Sequence, residues 1–187
     1  MRPTAATLER LQLTPDATYL ITGGTGALGQ QIGRWMVERG ARHLVLVARN
    51  ALERGLPESL RTLEQAGTTL RILAADVSKR EELARVLADI IASLPPLRGI
   101  VHAAGMIDDG VLMQQSLERF HRAMAPKVSG AWHLHSLTRE VPLEFIVLFS
   151  SAASVIGSAG QGNYAAANAD LDALASHRRG IGLPGLA

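Results

Sequence analysis

Ser151 follows the apolar run Phe145-Ile-Val-Leu-Phe-Ser150, and Tyr164 lies thirteen positions further on, within Gln161-Gly-Asn-Tyr-Ala-Ala-Ala-Asn168. The first run reads as a buried strand and the second as the opening of a helix. An alcohol therefore stands at a strand mouth and a phenol on the first turn of the next helix. Carbonyl reduction needs such a pair, because the developing alkoxide requires a proton donor and a second donor to hold the oxygen. A phenol, ordinarily with a pKa of about 10, serves as the acid when nearby positive charge stabilises its anion. Asn168 falls at i+4 from Tyr164, on the same helical face. No lysine follows Tyr164, and the chain has only two, Lys79 and Lys127. Lys127, in Ala125-Pro-Lys-Val128, is the better candidate for the cation.

A second constellation lies near the other end, in Thr22-Gly23-Gly24-Thr25-Gly26-Ala27-Leu28-Gly29. Gly24-x-Gly26-x-x-Gly29 follows one strand and opens one helix, the context in which glycines let backbone approach a pyrophosphate at a helix N-terminus. A P-loop is excluded, since no Lys-Ser or Lys-Thr follows the last glycine. A glycine turn without a ligand is the bland alternative. The next strand ends Val47-Ala48-Arg49-Asn50, with Arg49 where an NAD binder carries an acid for the ribose hydroxyl. A guanidinium pairs with a 2′-phosphate, so NADPH is the expected cofactor. Asp76 and Val77, after the third strand, border the adenine in this scheme, although Asp76 equally suits the cap of the helix that follows.

Strict alternation of strands and helices must position these groups. Five strands are expected at 18–22, 43–48, 69–74, 99–103 and 145–150, and helices at about 27–39, 57–66, 79–93, 116–139 and 162–179. Gly40, Gly67 and Pro95-Pro96 supply the helix stops. This pattern predicts an α/β fold, a Rossmann-like doubly wound parallel sheet in a three-layer αβα sandwich. Residues 1–14 read as a linker and 15–187 as one catalytic domain. Gly182-Leu-Pro-Gly-Leu-Ala187 reads as the entry to a sixth strand, so the chain is expected to be an incomplete domain.

Composition excludes several other functions. Charged residues are 19% and the formal net charge is +2, with no basic, aromatic-rich stripe for nucleic acid. The absence of cysteine excludes a disulfide framework and thiolate metal sites. No apolar run approaches the roughly 18 residues of a membrane span, and Met1 to Thr14 carry no signal core. A cytoplasmic protein is expected. No metal is expected either: His133 and His135 are two apart on a helix and point to different faces. Trp132 carries no role of its own, Met106 and Met113 are expected to pack, and Glu81 and Arg85 to form a solvated helix face.

Taken together, TGGTGALG, His102-Ala103-Ala104-Gly105, Pro126-Lys127-Val128 and LFSSAAS…GQGNYAAAN resemble the ketoreductase domains of polyketide synthases. These form a branch of the short-chain dehydrogenases/reductases, and the resemblance runs from about Pro15 to Ala187. Ordinary members carry Tyr-x-x-x-Lys with an Asn on the earlier helix. The ketoreductases exchange the two, as this chain does with Asn168 and Lys127. The resemblance implies Tyr164 as general acid, Ser151 polarising the carbonyl, Lys127 and Asn168 supporting the phenol, and His102 to Gly105 lining the cofactor. It further implies a β-ketoacyl substrate on an acyl carrier protein, and other synthase domains as partners. Among these is an N-terminal structural subdomain that is missing here, as are a Trp-Gly segment and a substrate lid beyond Ala187. Ile107-Asp108-Asp109, close to the family's Leu-Asp-Asp, and Ile156 in place of a Trp imply the B-type hand and a D-hydroxyl. Three alternatives stay open: a stand-alone carbonyl reductase, a non-catalytic NADP-binding scaffold, and a nucleotide-sugar epimerase or dehydratase. Asn168 argues against the last, which keeps Tyr-x-x-x-Lys.

Overall fold

The computed structural model describes residues 12–50, 58–65 and 67–187. Five parallel strands, β1 (Thr18–Thr22), β2 (His43–Ala48), β3 (Thr69–Ala74), β4 (Leu97–His102) and β5 (Phe145–Leu148), form one sheet in the order β3-β2-β1-β4-β5. Side chains alternate between its faces with the period of two that a pleated strand imposes. Leu20, Val45, Val47, Ile100 and Ile146 point to one core with Leu83, Ile90, Leu134 and Leu171. Tyr19, Ile21, Leu44, Leu46 and Val101 point to the other with Met36, Leu60 and Leu63. Helices α1 (Ala27–Glu38) and α2 (Glu58–Gln65) cover the second face. The first is covered by α3 (Arg80–Ser93), α5 (Gly130–Leu137) and α7 (Gly162–Gly180). This is the three-layer α/β sandwich expected of near-continuous apolar strands.

The first three strands match their expected limits, while β4 starts two residues early and β5 stops at Leu148. Past that early stop the Phe149 amide still donates to the His102 carbonyl at 2.9 Å, while Ser150 leaves the ladder at the site. The ends of the helix expected over 57–66, Pro57 and Ala66, lie outside the described residues, as does most of the expected linker. Leu13, at the end of that linker, is buried, and its amide donates to the Arg39 carbonyl at 2.8 Å.

The long helix expected over 116–139 is broken. It forms α4 (Leu117–Met124), a π-helical turn (Ala125–Ser129) and then α5. Pro126 has no amide to offer the ladder, and the wider turn absorbs that loss while swinging Lys127 inward. A short helix α6 (Ala153–Ile156), which the sequence pattern had not shown, fills the connection from β5 to α7. Beyond α7, Leu186 bridges Val147 in parallel: the Leu148 amide donates to the Leu186 carbonyl at 2.7 Å. Residues expected to enter a sixth strand thus sit on the open edge of β5. No helix among the described residues is long and apolar enough to cross a membrane.

Candidate active site

The strand order reverses between β1 and β4, and the loops leaving the C-terminal strand ends meet at that switch point, where open α/β sheets take their ligands. A cavity of about 580 Å³ there is lined by Gly23, Thr25, Gly26, Arg49, Asp76, Val77, Ala103, Ala104 and Gly105, among others. Every βα loop of the first four strands contributes. Gly23 adopts φ 68°, and a Cβ on Gly29 would run into its carbonyl oxygen, so this turn closes only with glycine at both positions. A glycine-lined wall at a helix N-terminus, ending at an exposed guanidinium, has the chemistry of a dinucleotide cradle. Asp76 lines the cavity and also builds the turn before α3, its carboxylate accepting from the Ser78 amide at 2.9 Å and hydroxyl at 2.7 Å. Burial alone would raise its pKa; the Ser78 bonds, helped by Arg49 and Lys79, outweigh burial and hold it below the usual carboxylate range.

Four residues expected in the cofactor wall lie behind it. Gly24 packs against Leu46, Gly29 against the Gly23–Gly24 backbone, and Thr22 and His102 are buried in the sheet. Leu28 lines the neighbouring cavity described below. Burial pushes His102 down to about 4, so the ring is neutral at physiological pH, against the weaker pull of its bonds to backbone carbonyls. Its Nε2 faces the Lys127 carbonyl at 3.2 Å and must carry the proton; its Nδ1 then accepts from the Thr22 hydroxyl at 2.7 Å. The Ala104 amide closes the chain by donating to Thr22 Oγ1 at 3.4 Å. His102 therefore holds the π-helical turn to the glycine-loop strand and does not itself face the cavity.

A second cavity, about 430 Å³, is lined by Leu28, Ala103, Gly105, Met106, Ile107, Lys127, Phe149, Ser150 and Tyr164. It shares Ala103 and Gly105 with the first. Lys127 Nζ lies 5.2 Å from the centre of the Tyr164 ring and donates to the Phe149 carbonyl at 2.8 Å. The lysine is buried, which pushes it down to about 8; Asp172 pulls it partly back. Gly105 leaves room for it, since a Cβ there would stand 3.2 Å from Lys127 Cε. Asn168, fully buried, donates to the Tyr164 carbonyl at 2.7 Å, and its Oδ1 has no partner among the described residues. Ser151 lines an adjoining cavity with Ser154 and Asp172, joined to the Tyr164 cavity through Phe149 and Ser150. Its hydroxyl accepts from the Ala153 amide at 3.2 Å and opens α6. The structure thus unites Lys127 and Tyr164 directly, places Asn168 one turn below, and sets Ser151 next door.

These features meet in one fold, and comparison with known proteins extends them. The family model described as KR domain matches residues 17–187. The chain belongs to the KR domain family. Within the short-chain dehydrogenase/reductase superfamily this is the ketoreductase branch, an oxidoreductase class. The chain is 53% identical over 171 residues to polyketide synthase GfsA of Streptomyces halstedii, covering 90% of this chain and 2% of that protein. It is 47% identical over 171 residues to mycoketide-CoA synthase of Mycobacterium tuberculosis, covering 90% and 4%. Among solved structures, an N-terminal ketoreductase from the macrolactin assembly line superposes with TM-score 0.88 at 33% identity, over 95% of this chain and 36% of that one. The first ketoreductase of the tylosin synthase gives 0.84 at 41% identity, over 96% and 39%. The chain therefore spans only a small part of its curated relatives and well under half of the solved chains.

Several groups of this KR domain escaped sequence reasoning. Ser150 and the Phe149 carbonyl reach the Tyr164 cavity because β5 ends early, which no apolar pattern signals. Asp172, at i+4 from Asn168, accepts from the Ser154 hydroxyl at 2.6 Å and was findable from that spacing. Met106 is half-buried and lines the cavity, whereas Met113 is 97% exposed, so the packing expected of Met113 does not occur. His133 turns to the Val77 carbonyl and His135 to Arg178, which separates the two rings as their spacing requires.

Proposed function

We propose that this KR domain uses NADPH to reduce the β-keto group of an acyl thioester on an acyl carrier protein to the β-hydroxyacyl form. The supporting observation is the Lys127–Tyr164 pair, 5.2 Å apart, in a cavity that joins the glycine-lined one at Ala103 and Gly105. Gly23, Thr25, Gly26, Asp76, Val77 and Ala103 to Gly105 would hold the dinucleotide, with Arg49 beside its 2′-phosphate. When bound, the nicotinamide supplies the hydride. Tyr164 delivers a proton to the carbonyl oxygen, Ser151 donates to that oxygen, and Lys127 stabilises the charge that the phenol takes up. Asn168, with its free acceptor, supports the path by which the phenol is reprotonated.

Arg49 carries the cofactor choice. Its side chain lines the large cavity and, with Lys79, a smaller one beside Asp76. Arg49→Glu is expected to weaken NADPH by roughly ten- to a hundredfold, the loss of a charge-assisted pair, while sparing NADH. Fluorescence titration with both cofactors measures it; equal affinities in the unaltered chain refute the NADPH assignment.

Ile107-Asp108-Asp109 and Ile156 support B-type chemistry, and the sequence context supports a cytoplasmic synthase with neighbouring domains as partners. The product of a β-ketoacyl N-acetylcysteamine thioester, resolved on a chiral column, tests both reaction and hand. A D-hydroxyl is expected; an L-hydroxyl overturns the B-type assignment, and binding without turnover favours a scaffold.

A further inference from the structure

Asn163 stands immediately before Tyr164 and is 0% exposed. Its Oδ1 accepts from the Tyr164 amide at 2.8 Å. Its Nδ2 donates to the Asp108 carbonyl at 2.8 Å and towards the Arg119 carbonyl at 3.4 Å. One side-chain amide therefore joins three elements: α7 at the phenol, α4, and the 106–111 loop whose Met106 and Ile107 line the Tyr164 cavity. Its acceptor serves a first-turn amide of α7, as a cap would, but capping does not account for the two donated bonds, which both go to other elements.

The loop it grips is built to be held. Asp108 pairs with Arg119 at 2.8 Å and with Arg122 at 2.7 Å, both from α4, and its carboxylate is only 16% exposed. Arg119 also donates to the Asp109 carbonyl. Gln161, at the start of α7, donates to the Asp109 carboxylate at 3.0 Å. The Gly110 amide donates to the Gly160 carbonyl at 2.8 Å, and Gln115 to the Gly110 carbonyl at 2.9 Å. Without these bonds the segment is irregular backbone with exposed apolar side chains, which has little reason to keep one position.

We infer that Asn163 is a positioning residue: it couples the 106–111 loop, clamped to α4 through Asp108, to the backbone of Tyr164. Loop and phenol then move as one unit, and the loop sets how a carbonyl is presented to the acid. The inference deepens the ketoreductase proposal and depends on it only for the turnover readout.

Asp108→Asn loosens the clamp without touching α7, and Asn163→Asp keeps the acceptor for the Tyr164 amide while losing both donated bonds. Hydrogen exchange on the intact natural polypeptide needs no turnover. In Asp108→Asn, exchange at the Tyr164 amide is expected to rise together with 106–111, on the order of tenfold, with β1 and β4 unchanged. Unchanged protection at Tyr164 overturns the coupling, as does a rise spread equally over the whole sheet. With an α-methyl β-ketoacyl N-acetylcysteamine thioester as probe, both variants are expected to erode the diastereomer ratio while leaving cofactor affinity unaltered. The double variant should be no worse than the worse single one, since both act through one unit. Ratios that stay at the unaltered value, or that worsen multiplicatively, overturn it. An unaltered chain that exchanges as described but reduces nothing defeats the ketoreductase proposal alone.

Discussion

Lys127→Met is expected to raise the melting temperature while removing most of the activity. The ammonium is buried with a single hydrogen bond, to the Phe149 carbonyl, and no carboxylate pairs with it among the described residues. Replacing such a charge by an apolar chain of similar length stabilises a fold by about 1–2 kcal/mol, or roughly 3–6 °C for a domain of this size. The gain depends on pH in a definite direction. Burial lowers the lysine from an ordinary 10.5 to about 8, so between those values the unfolded chain binds a proton that the folded chain does not. Stability of the unaltered protein therefore rises with pH across that window, and the advantage of methionine shrinks. Below about pH 8 the charge is present, the penalty is complete, and so is the electrostatic support of Tyr164. Turnover should fall in the unaltered domain as pH climbs above that value and fall by about a hundredfold or more in the variant at neutral pH. Calorimetry at pH 7 and pH 10, beside turnover of a β-ketoacyl thioester, checks both halves. A variant that is less stable at pH 7 would show that Lys127 is structural.

Most of the scaffold was legible because its signals are local. Strands β1 to β3 are apolar runs bounded by breakers, and their limits agree with the sheet that forms. The glycine turn was legible for the same reason, although the pattern could not separate glycines that face a ligand from those that face backbone. Gly23 and Gly26 line the cavity, whereas Gly24 and Gly29 are demanded by Leu46 and by the turn itself. What stayed hidden depends on contacts far apart in sequence. His102 sits in a segment that suggests a cofactor contact, yet its partners are Thr22, 80 positions away, and Lys127, 25 positions away. The break at Pro126 was visible as a residue type. That the helix continues through a π-helical turn sets the Lys127 carbonyl against His102, a contact that no window of sequence contains. The tie between Asn163 and Asp108 spans 55 positions and is equally silent in any local pattern.

The same separation between scaffold and chemistry makes Tyr164→Phe the sharpest test of the site. The bonds that side chains make to Tyr164 fall on its backbone: its amide donates to Asn163 and its carbonyl accepts from Asn168. Among the described residues nothing hydrogen-bonds the phenolic oxygen, so removing it breaks no contact that supports the fold. The ring and its position 5.2 Å from the Lys127 ammonium are retained in phenylalanine. Cofactor affinity should hold too, because the glycine-lined cavity does not include residue 164. The only loss is the proton donor, worth a factor of about 10² to 10⁴ in turnover when a general acid is removed. The expected result is a domain that melts within about 1 °C of the unaltered one, binds NADPH equally well, and reduces a β-ketoacyl thioester at least a hundredfold more slowly, with little change in KM. A tenfold loss or less would mean that a different group, the Ser151 hydroxyl or solvent, protonates the oxygen. The same loss accompanied by unfolding would place Tyr164 in the scaffold and move the chemistry elsewhere in the cavity.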